Sequence, residues 1–344
     1  MAARHAADAG VTHMTATRVA LDATRRHLQH GPIDLIIGAD GDAPAVQAAH
    51  EECWQRFTTI LDELVAELPA LRQAVRQDAL SRPCAGRVAS RMWDACYPYR
   101  ARYITPMAAV AGSVADELIA AFVRPGIRRA FINNGGDIAL HLDEGQHYRI
   151  GVFADLAGLA QTRLHEGLKL DADLSLDAAQ PVRGIATSGW RGRSFSLGIA
   201  DSVTVLARNA AAADAAATMI ANAVDLKHAD IVRQPASSLK DDSDLGDLLV
   251  TVDVPPLPQP LIDFALARGA EEATRLHEQG LIEGAALFLQ RRVRVVGMTP
   301  PGAPASRAKD GMGLSGGAAS AHITYSAHRP HYPTEAPCSK SAAC

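Results

Sequence analysis

The sequence predicts an α/β (α+β) fold, because β-hairpin patterns and long amphipathic helices share one chain of ordinary globular composition. Its 344 residues are 48% hydrophobic and 21% charged, which suits one large domain or two fused ones. A weak internal repeat favours one fused unit, since residues 31–34 (GPID) and 198–201 (GIAD) each precede an apolar strand and a helix. We therefore expect a single domain over residues 15–297.

Apolar periodicity places the elements in order. Two strands joined by a Gly-Pro turn are expected first, followed by a long helix that Pro69 should kink or end. An irregular aromatic stretch over residues 84–106 precedes a helix of small residues. The remaining expected elements are strands at 129–132, 138–142, 148–153, 202–207, 248–252, 284–290 and 292–296, and helices at 210–224 and 261–279.

The two chain ends differ in composition from the predicted domain. Residues 1–14 are polar, and residues 298–344 are rich in Pro, Gly, Ser and Ala without alternating apolar positions. We expect a flexible N-terminus and a disordered tail. The start of the chain has no apolar segment typical of a secretory signal, which predicts a cytoplasmic protein.

Charge and cysteine content exclude several classes of function. Lys and Arg number 34 against 38 Asp and Glu, giving a net charge of −4 without the basic runs of a nucleic-acid binder. The two most apolar stretches, residues 104–123 and 210–224, are interrupted by acidic residues, so neither is expected to span a membrane. Five cysteines without a C-x-x-C pair do not indicate a structural zinc site. A small molecule is the expected partner, and the chain could form a homodimer.

Two predicted turns carry groups suited to an anion. Asn133-Asn134-Gly135-Gly136-Asp137 follows a strand, where paired glycines let backbone N–H groups approach a ligand. Ala186-Thr187-Ser188-Gly189 places two hydroxyls beside a glycine. Each motif could equally be a tight turn with no ligand. In the later alanine-rich helix, Asp214 and Thr218 stand four residues apart and could share a cation such as Mg²⁺, or form a polar stripe.

The order of these motifs resembles the ApbE-like superfamily, whose named members are FAD:protein FMN transferases. The resemblance runs over residues 105–225, through Ala108…Gly112…Asp116, the two turns, the strand Ser202–Val205, and Ala213-Asp214 with Ala217-Thr218. The whole chain is more similar to a soluble, largely uncharacterised branch of that superfamily. The resemblance implies a two-layer fold of antiparallel or mixed sheets packed on long helices, with a cavity between two halves.

The resemblance also implies ligands and roles. In the transferases, residues matching Asp214, Thr218 and the backbone carbonyl of Ala108 hold Mg²⁺ at the FAD pyrophosphate. FAD or FMN and Mg²⁺ are therefore the expected ligands. The chain departs from the transferases at Ala111, where they have a lysine, and between Ser188 and Ser202, where they carry a longer segment with a His-Ile-x-Asp-Pro signature.

Three functional hypotheses follow. The first is a flavin enzyme, with FMN transfer from FAD as its best-defined form and Asp201 or Asp137 as base. The second is a hydrolase or isomerase of a small cyclic amide or carboxylate that has lost flavin transfer. In it Asp201, His30 or Asp137 would move protons, and Arg102 or Arg191 would bind a carboxylate. The third is a non-catalytic flavin-binding protein. The motifs alone do not choose among these three.

The expected cavity has the same lining in every case. The residues named for ligand binding are Asn133, Gly135, Gly136, Asp137, Thr187, Ser188, Gly189, Arg102 and Arg191. The N-terminus of the helix that starts near Ala108 is expected to favour a negatively charged group there.

Overall fold

The computed structural model describes residues 15–152, 172–298 and 324–327. The strands are β1 (Thr17–Ala20), β2 (Arg25–His30), β3 (Ile33–Gly41), β4 (Ile127–Asn134), β5 (Asp137–Leu142), β6 (His147–Val152), β7 (Ala172–Asp177), β8 (Gly184–Ser188), β9 (Ser202–Ala207), β10 (Val232–Pro235), β11 (Leu249–Asp253), β12 (Gly284–Leu289), β13 (Arg292–Val296) and β14 (Thr324–Ala327). The α-helices are α1 (Ala43–Leu71), α2 (Arg87–Cys96), α3 (Val110–Ile119), α4 (Ala210–Ala223), α5 (Ala236–Leu239) and α6 (Gln259–Glu278).

Nine of the strands form one antiparallel sheet in the order β1-β2-β3-β4-β5-β8-β9-β12-β13. Strands β6, β7 and β14 form a small sheet, and β10 pairs with β11. The α+β fold with an antiparallel sheet is therefore confirmed.

The long helices cover one face of the large sheet. In the first half, Ile37 of β3 and Ile132 of β4 pack in one core with Phe57 of α1 and Leu118 of α3. In the second half, strands β9 and β12 form a core with α4 and α6. Along β4, buried residues largely alternate with more exposed ones, whereas every residue of β9 and β12 is buried.

The opposite face of the large sheet is partly covered by the small one. Leu140 of β5, Ile185 of β8 and Phe288 of β12 share a separate apolar cluster with Leu176 of β7. This partial third layer was not expected from the sequence. The part of the predicted tail that the structure describes is β14, which pairs antiparallel with β7; most of residues 298–344, and residues 1–14, lie outside the described residues.

Helix α2 corrects one expectation, since it lies inside the stretch 84–106 that was expected to be irregular. Its buried residues Val88, Met92, Trp93 and Cys96 follow helical spacing. The aromatic and proline residues around it obscured this pattern in the sequence.

The internal repeat corresponds to two similar strand–helix units in the fold. Both of its strand–helix units, β3–α1 and β9–α4, place a strand in the large sheet. Their matching polar positions nevertheless differ: Gln47 of α1 is exposed, whereas its counterpart Asp214 is half-buried and accepts a hydrogen bond from the N–H of Gly112 (2.9 Å).

Helices α3 and α4 approach each other closely. A Cβ at Gly112 would overlap the carbonyl oxygen of Ala210, so a larger residue there would push the helices apart. The buried carboxylate of Asp116 in α3 accepts hydrogen bonds from the N–H groups of Ala210 (2.9 Å) and Ala211 (2.8 Å), the first residues of α4. This contact fixes where α4 begins relative to α3.

Candidate functional site

Both predicted motifs lie at one edge of the large sheet, where 133–137 forms a turn between two strands, whereas 186–188 is the end of strand β8 and not the expected turn. Asn134 ends β4 and pairs with Asp137, which starts β5, and β5 in turn pairs with β8 through Ile138 and Ile185. Because β8 ends at Ser188, the motifs at 133–137 and 186–189 meet at this edge, as the sequence predicted.

The Gly135-Gly136 turn closes the β4–β5 hairpin. Both glycines have positive φ (65° and 113°), and the side-chain oxygen of Asn133 accepts a hydrogen bond from the N–H of Gly136 (2.9 Å). The amide of Asn134 donates to the carbonyl of Ala111 at the start of α3 (3.1 Å). Asn133 and Gly136 therefore have a structural role, and Asn134 ties the turn to α3.

Asp137 and Thr187 connect the two motifs directly. The N–H of Thr187 donates to a carboxylate oxygen of Asp137 (3.1 Å). The Thr187 hydroxyl bonds instead to the hydroxyl of Thr204 (2.9 Å), whereas Ser188 lies opposite Val203, whose side chain belongs to the helix-facing core. Adjacent strand residues point to opposite faces, so of the two hydroxyls only that of Ser188 is on the side of the helices.

Asp214 of α4 lies close to Asp137. Burial raises the pKa of Asp214 well above its usual range, and the negative charge of Asp137 raises it further, against the N–H donors of Gly112 and Ala111. Burial likewise raises the pKa of Asp137, against the N–H of Thr187 and the charge of Arg193. The fold therefore holds two interacting carboxyl groups at the sheet edge, which we call the Asp137–Asp214 site.

Asp214 changes the expected role of the helix N-terminus. The sequence predicted that the start of the Ala108 helix would attract a ligand anion. In the structure, Gly112 and Ala111 donate their N–H groups to Asp214, so the carboxylate of Asp214 already occupies this position.

Arg193 is a site residue that the motifs missed. A Cβ at Gly135 would overlap the Arg193 guanidinium, and the positive charge of Arg193 lowers the pKa of Asp137 against the effect of burial. Arg193 is exposed and lies in an irregular loop, where apolar periodicity gives no information. In the sequence, the feature that could have drawn attention to Arg193 is its position two residues after Arg191.

The three candidate metal ligands lie on α4 and on a 3₁₀ turn that packs against it. Thr218 follows Asp214 by one turn of α4, and both are half-buried. Ala108 is in the 3₁₀ turn Pro106–Ala109 that leads into α3. No group of three or more His, Cys, Asp or Glu side chains that could hold a metal occurs within residues 15–152, 172–298 and 324–327. A site here would depend on hydroxyl and backbone oxygens as well as carboxylates.

The model of the family described as "AbpE bacteria" matches residues 2–295. The chain belongs to the AbpE bacterial family.

Archaeal relatives share part of the AbpE-family chain. A "UPF0280 protein" of Methanothrix thermoacetophila is 30% identical over 226 residues, covering 60% of this chain and 84% of that protein. One from Methanothermobacter thermautotrophicus is 38% identical over 123 residues, covering 36% and 43% of the two chains. The chain thus spans less than half the length of some relatives.

Two solved structures are also similar. The apo form of Pseudomonas stutzeri flavinyl transferase ApbE covers 82% of this chain and 94% of its own, with 12% identity and a TM-score of 0.42. The ApbE protein of Thermotoga maritima covers 61% and 86%, with 13% identity and a TM-score of 0.32.

None of the helices that the structure describes in the AbpE-family chain has the length and apolar character needed to cross a bilayer.

Asp201 of the AbpE-family chain has several protein partners. Its carboxylate accepts from the N–H of Gln290 (2.6 Å) and the indole N–H of Trp190 (3.3 Å), and Arg191 is 3.4 Å away. A Cβ at Gly189 would overlap the backbone carbonyl of Asp201. These contacts make Asp201 a positioning residue for the 189–191 turn, so Asp137 is the better candidate for proton transfer.

The remaining predicted residues lie in other surroundings. His30 is buried in the core, 6.1 Å from the ring of Phe57 between centroids. Arg102 is ion-paired with Glu272 of α6, which Arg275 also contacts (2.6 Å). The structure brings neither residue into a described contact with Asp137 or Asp214.

Proposed function

We propose that this AbpE-family chain binds a flavin nucleotide at the Asp137–Asp214 site and, with Mg²⁺, transfers FMN from FAD to an acceptor hydroxyl. The observation that carries the proposal is the meeting of Asp137, Thr187 and Asp214 at one sheet edge, in the motif order of the FMN transferases. Small residues line the approach, since Gly112 and Ala111 face Asp214.

The donor set fits a divalent cation. Two carboxyl groups with raised pKa values lie together, and Arg193 is the cationic neighbour that acts on Asp137. A hard cation would stabilise both ionised carboxylates and prefers oxygen ligands, which Thr218 and the Ala108 carbonyl can add. When bound, Mg²⁺ would neutralise the charge of the FAD pyrophosphate.

In the proposed reaction, a bond forms between the acceptor oxygen and the FMN phosphorus. The phosphorus–oxygen bond to AMP breaks, and AMP leaves with the bonding electron pair. In this proposal, Asp137 accepts the proton of the acceptor hydroxyl. The Ser188 hydroxyl, on the helix side of the sheet, is placed to donate a hydrogen bond to the phosphoryl oxygens.

Arg193 is relevant to the main difference between this chain and the transferases, which is the absence of their lysine at Ala111. Ala111 cannot supply the cation that their lysine provides. Arg193 is a cation beside Gly135 at the same sheet edge and acts on Asp137. We propose that it contacts the ligand's phosphate in this chain.

The test is to incubate the full chain with FAD, Mg²⁺ and acceptor proteins and to measure AMP release and bound flavin by chromatography. We expect AMP release in the wild type and a loss of at least tenfold in Asp214→Asn. The control, Glu51→Gln on α1, removes an exposed carboxylate that pairs with Arg18 outside the site and should keep full activity. Equal AMP release by Asp214→Asn and wild type would overturn the assignment of the site.

The hydrolase hypothesis is favoured by the short segment between Gly189 and Asp201, which lacks the His-Ile-x-Asp-Pro signature. Both arginines first named as its carboxylate ligands contact protein carboxylates, Arg102 with Glu272 and Arg191 with Asp201. No AMP release with any acceptor, together with turnover of a cyclic amide that Asp137→Asn abolishes, would select this hypothesis. Bound flavin without any turnover would select the binding protein.

A further inference from the structure

A cavity of about 600 Å³ lies between α2 and the start of α4. Its lining includes three arginines, Arg82, Arg87 and Arg91, together with Asp94 and Tyr99. None of the residues that form the Asp137–Asp214 site lines it. Three guanidinium groups around one cavity of this size are not explained by the proposed flavin site.

We call this cavity the arginine cavity. Two of its arginines have no short hydrogen bond to the neighbouring carboxylate of Glu117, because Arg56 binds that carboxylate more closely. Glu117 is 1% exposed and is hydrogen-bonded by Arg56 (2.8 Å), which also binds Glu63 through two further bonds (2.6 and 2.7 Å). Arg87 and Arg91 approach Glu117 only at 3.3 and 3.5 Å. These distances are long for charge-assisted hydrogen bonds.

Arg91 shows the shortage of acceptors most clearly. Its Nε atom is buried and has no hydrogen-bond partner among the described residues. Arg82 is 3.4 Å from Asp94, with both side chains about half exposed. The cavity lining thus holds three arginines and one carboxylate, that of Asp94, and the nearby Glu117 is shared with Arg56, so the lining itself carries surplus positive charge.

The backbone N–H groups at the start of α4 already have protein acceptors and do not add hydrogen-bond donors to the cavity. Asp116 accepts from Ala210 and Ala211, and the side chain of Asn209 accepts from Ala212 (2.8 Å). Recognition in the cavity therefore depends on the arginine side chains.

We propose that the arginine cavity binds an anionic small molecule whose phosphate or carboxylate group lies between Arg87 and Arg91. A guanidinium presents paired N–H donors that match either group. The volume exceeds what one such group fills, and Tyr99 and Leu281 offer apolar surface for an organic part of the ligand. This proposal does not depend on the flavin proposal.

Binding is tested by calorimetry and thermal unfolding of the full chain with inorganic phosphate and, separately, succinate, at constant ionic strength. We expect saturable binding of at least one probe and a raised Tm, and the two probes distinguish phosphate from carboxylate ligands. Arg82→Gln combined with Arg87→Gln should weaken binding at least tenfold. The Arg82 side chain is about half exposed and that of Arg87 largely exposed, so the variant should fold.

Two controls make the result specific. Arg76→Gln removes an exposed arginine paired with Asp78 outside the cavity and should change affinity less than twofold. Arg18→Gln, which removes an exposed arginine paired with Glu51 on α1, should likewise bind the probes as the wild type does. Absence of saturable binding by both probes, or equal affinity in the double variant and Arg76→Gln, would overturn the proposal.

Discussion

The Asp137–Asp214 site and the arginine cavity share helix α4 but are assembled differently. At the Asp137–Asp214 site, backbone N–H groups of Gly112, Ala111 and Thr187 hold the carboxylates. In the arginine cavity, flexible side chains surround a buried carboxylate. Changes to backbone packing should therefore damage the first region, and changes to side-chain charge the second.

The largest expected effect comes from Gly112→Ala. Its Cβ would overlap the carbonyl of Ala210, so α3 and α4 must separate, and overpacking of this kind costs about 1–3 kcal/mol. Chemical denaturation should show this loss, and Mg²⁺ binding should weaken. Gly192→Ala, whose Cβ would have a single neighbour at 3.1 Å, is the control and should cost much less. A fully stable Gly112→Ala variant would contradict the close contact.

A second test uses pH. A carboxyl group whose pKa is raised on folding binds more protons in the folded state, so stability falls as pH rises above its unfolded pKa. Asp214→Asn removes this dependence. In EDTA, the stability of Asp214→Asn relative to wild type should rise with pH above about 4, by at most about 1.4 kcal/mol per pH unit. Urea denaturation at several pH values measures it, and a flat difference would show that Asp214 titrates normally.

The smallest expected effect is that of Gly136→Ala. The position has φ of 113° and open space around a Cβ, so the cost is backbone strain of about 1 kcal/mol rather than a clash. If the turn only closes the hairpin, thermal unfolding should show this loss while flavin affinity is unchanged. A larger loss of affinity than of stability would instead place the Gly136 N–H against the ligand.

Sequence reasoning found the elements of the Asp137–Asp214 site because its residues sit in short ordered motifs beside strands. It could not show that Asp214 would occupy the start of α3, since that contact joins residues 102 positions apart. It also assigned roles to Asp201 and His30 that their protein partners and burial do not favour. The arginine cavity left no motif at all, because arginines brought together from a loop and a helix face look like ordinary surface charges.

The junction of β5 and β8 has a consequence for how the molecule moves. The two strands share only two residue pairs, Ile138 with Ile185 and Ala139 with Gly184, whereas β3 and β4 share seven. The seam between β5 and β8 therefore has the fewest paired residues in the nine-stranded sheet, and it lies next to the hydrogen bond between Asp137 and Thr187. Amide protons at this seam are the ones whose exchange with solvent should respond most to a ligand, because a molecule bound there would join the two parts of the sheet.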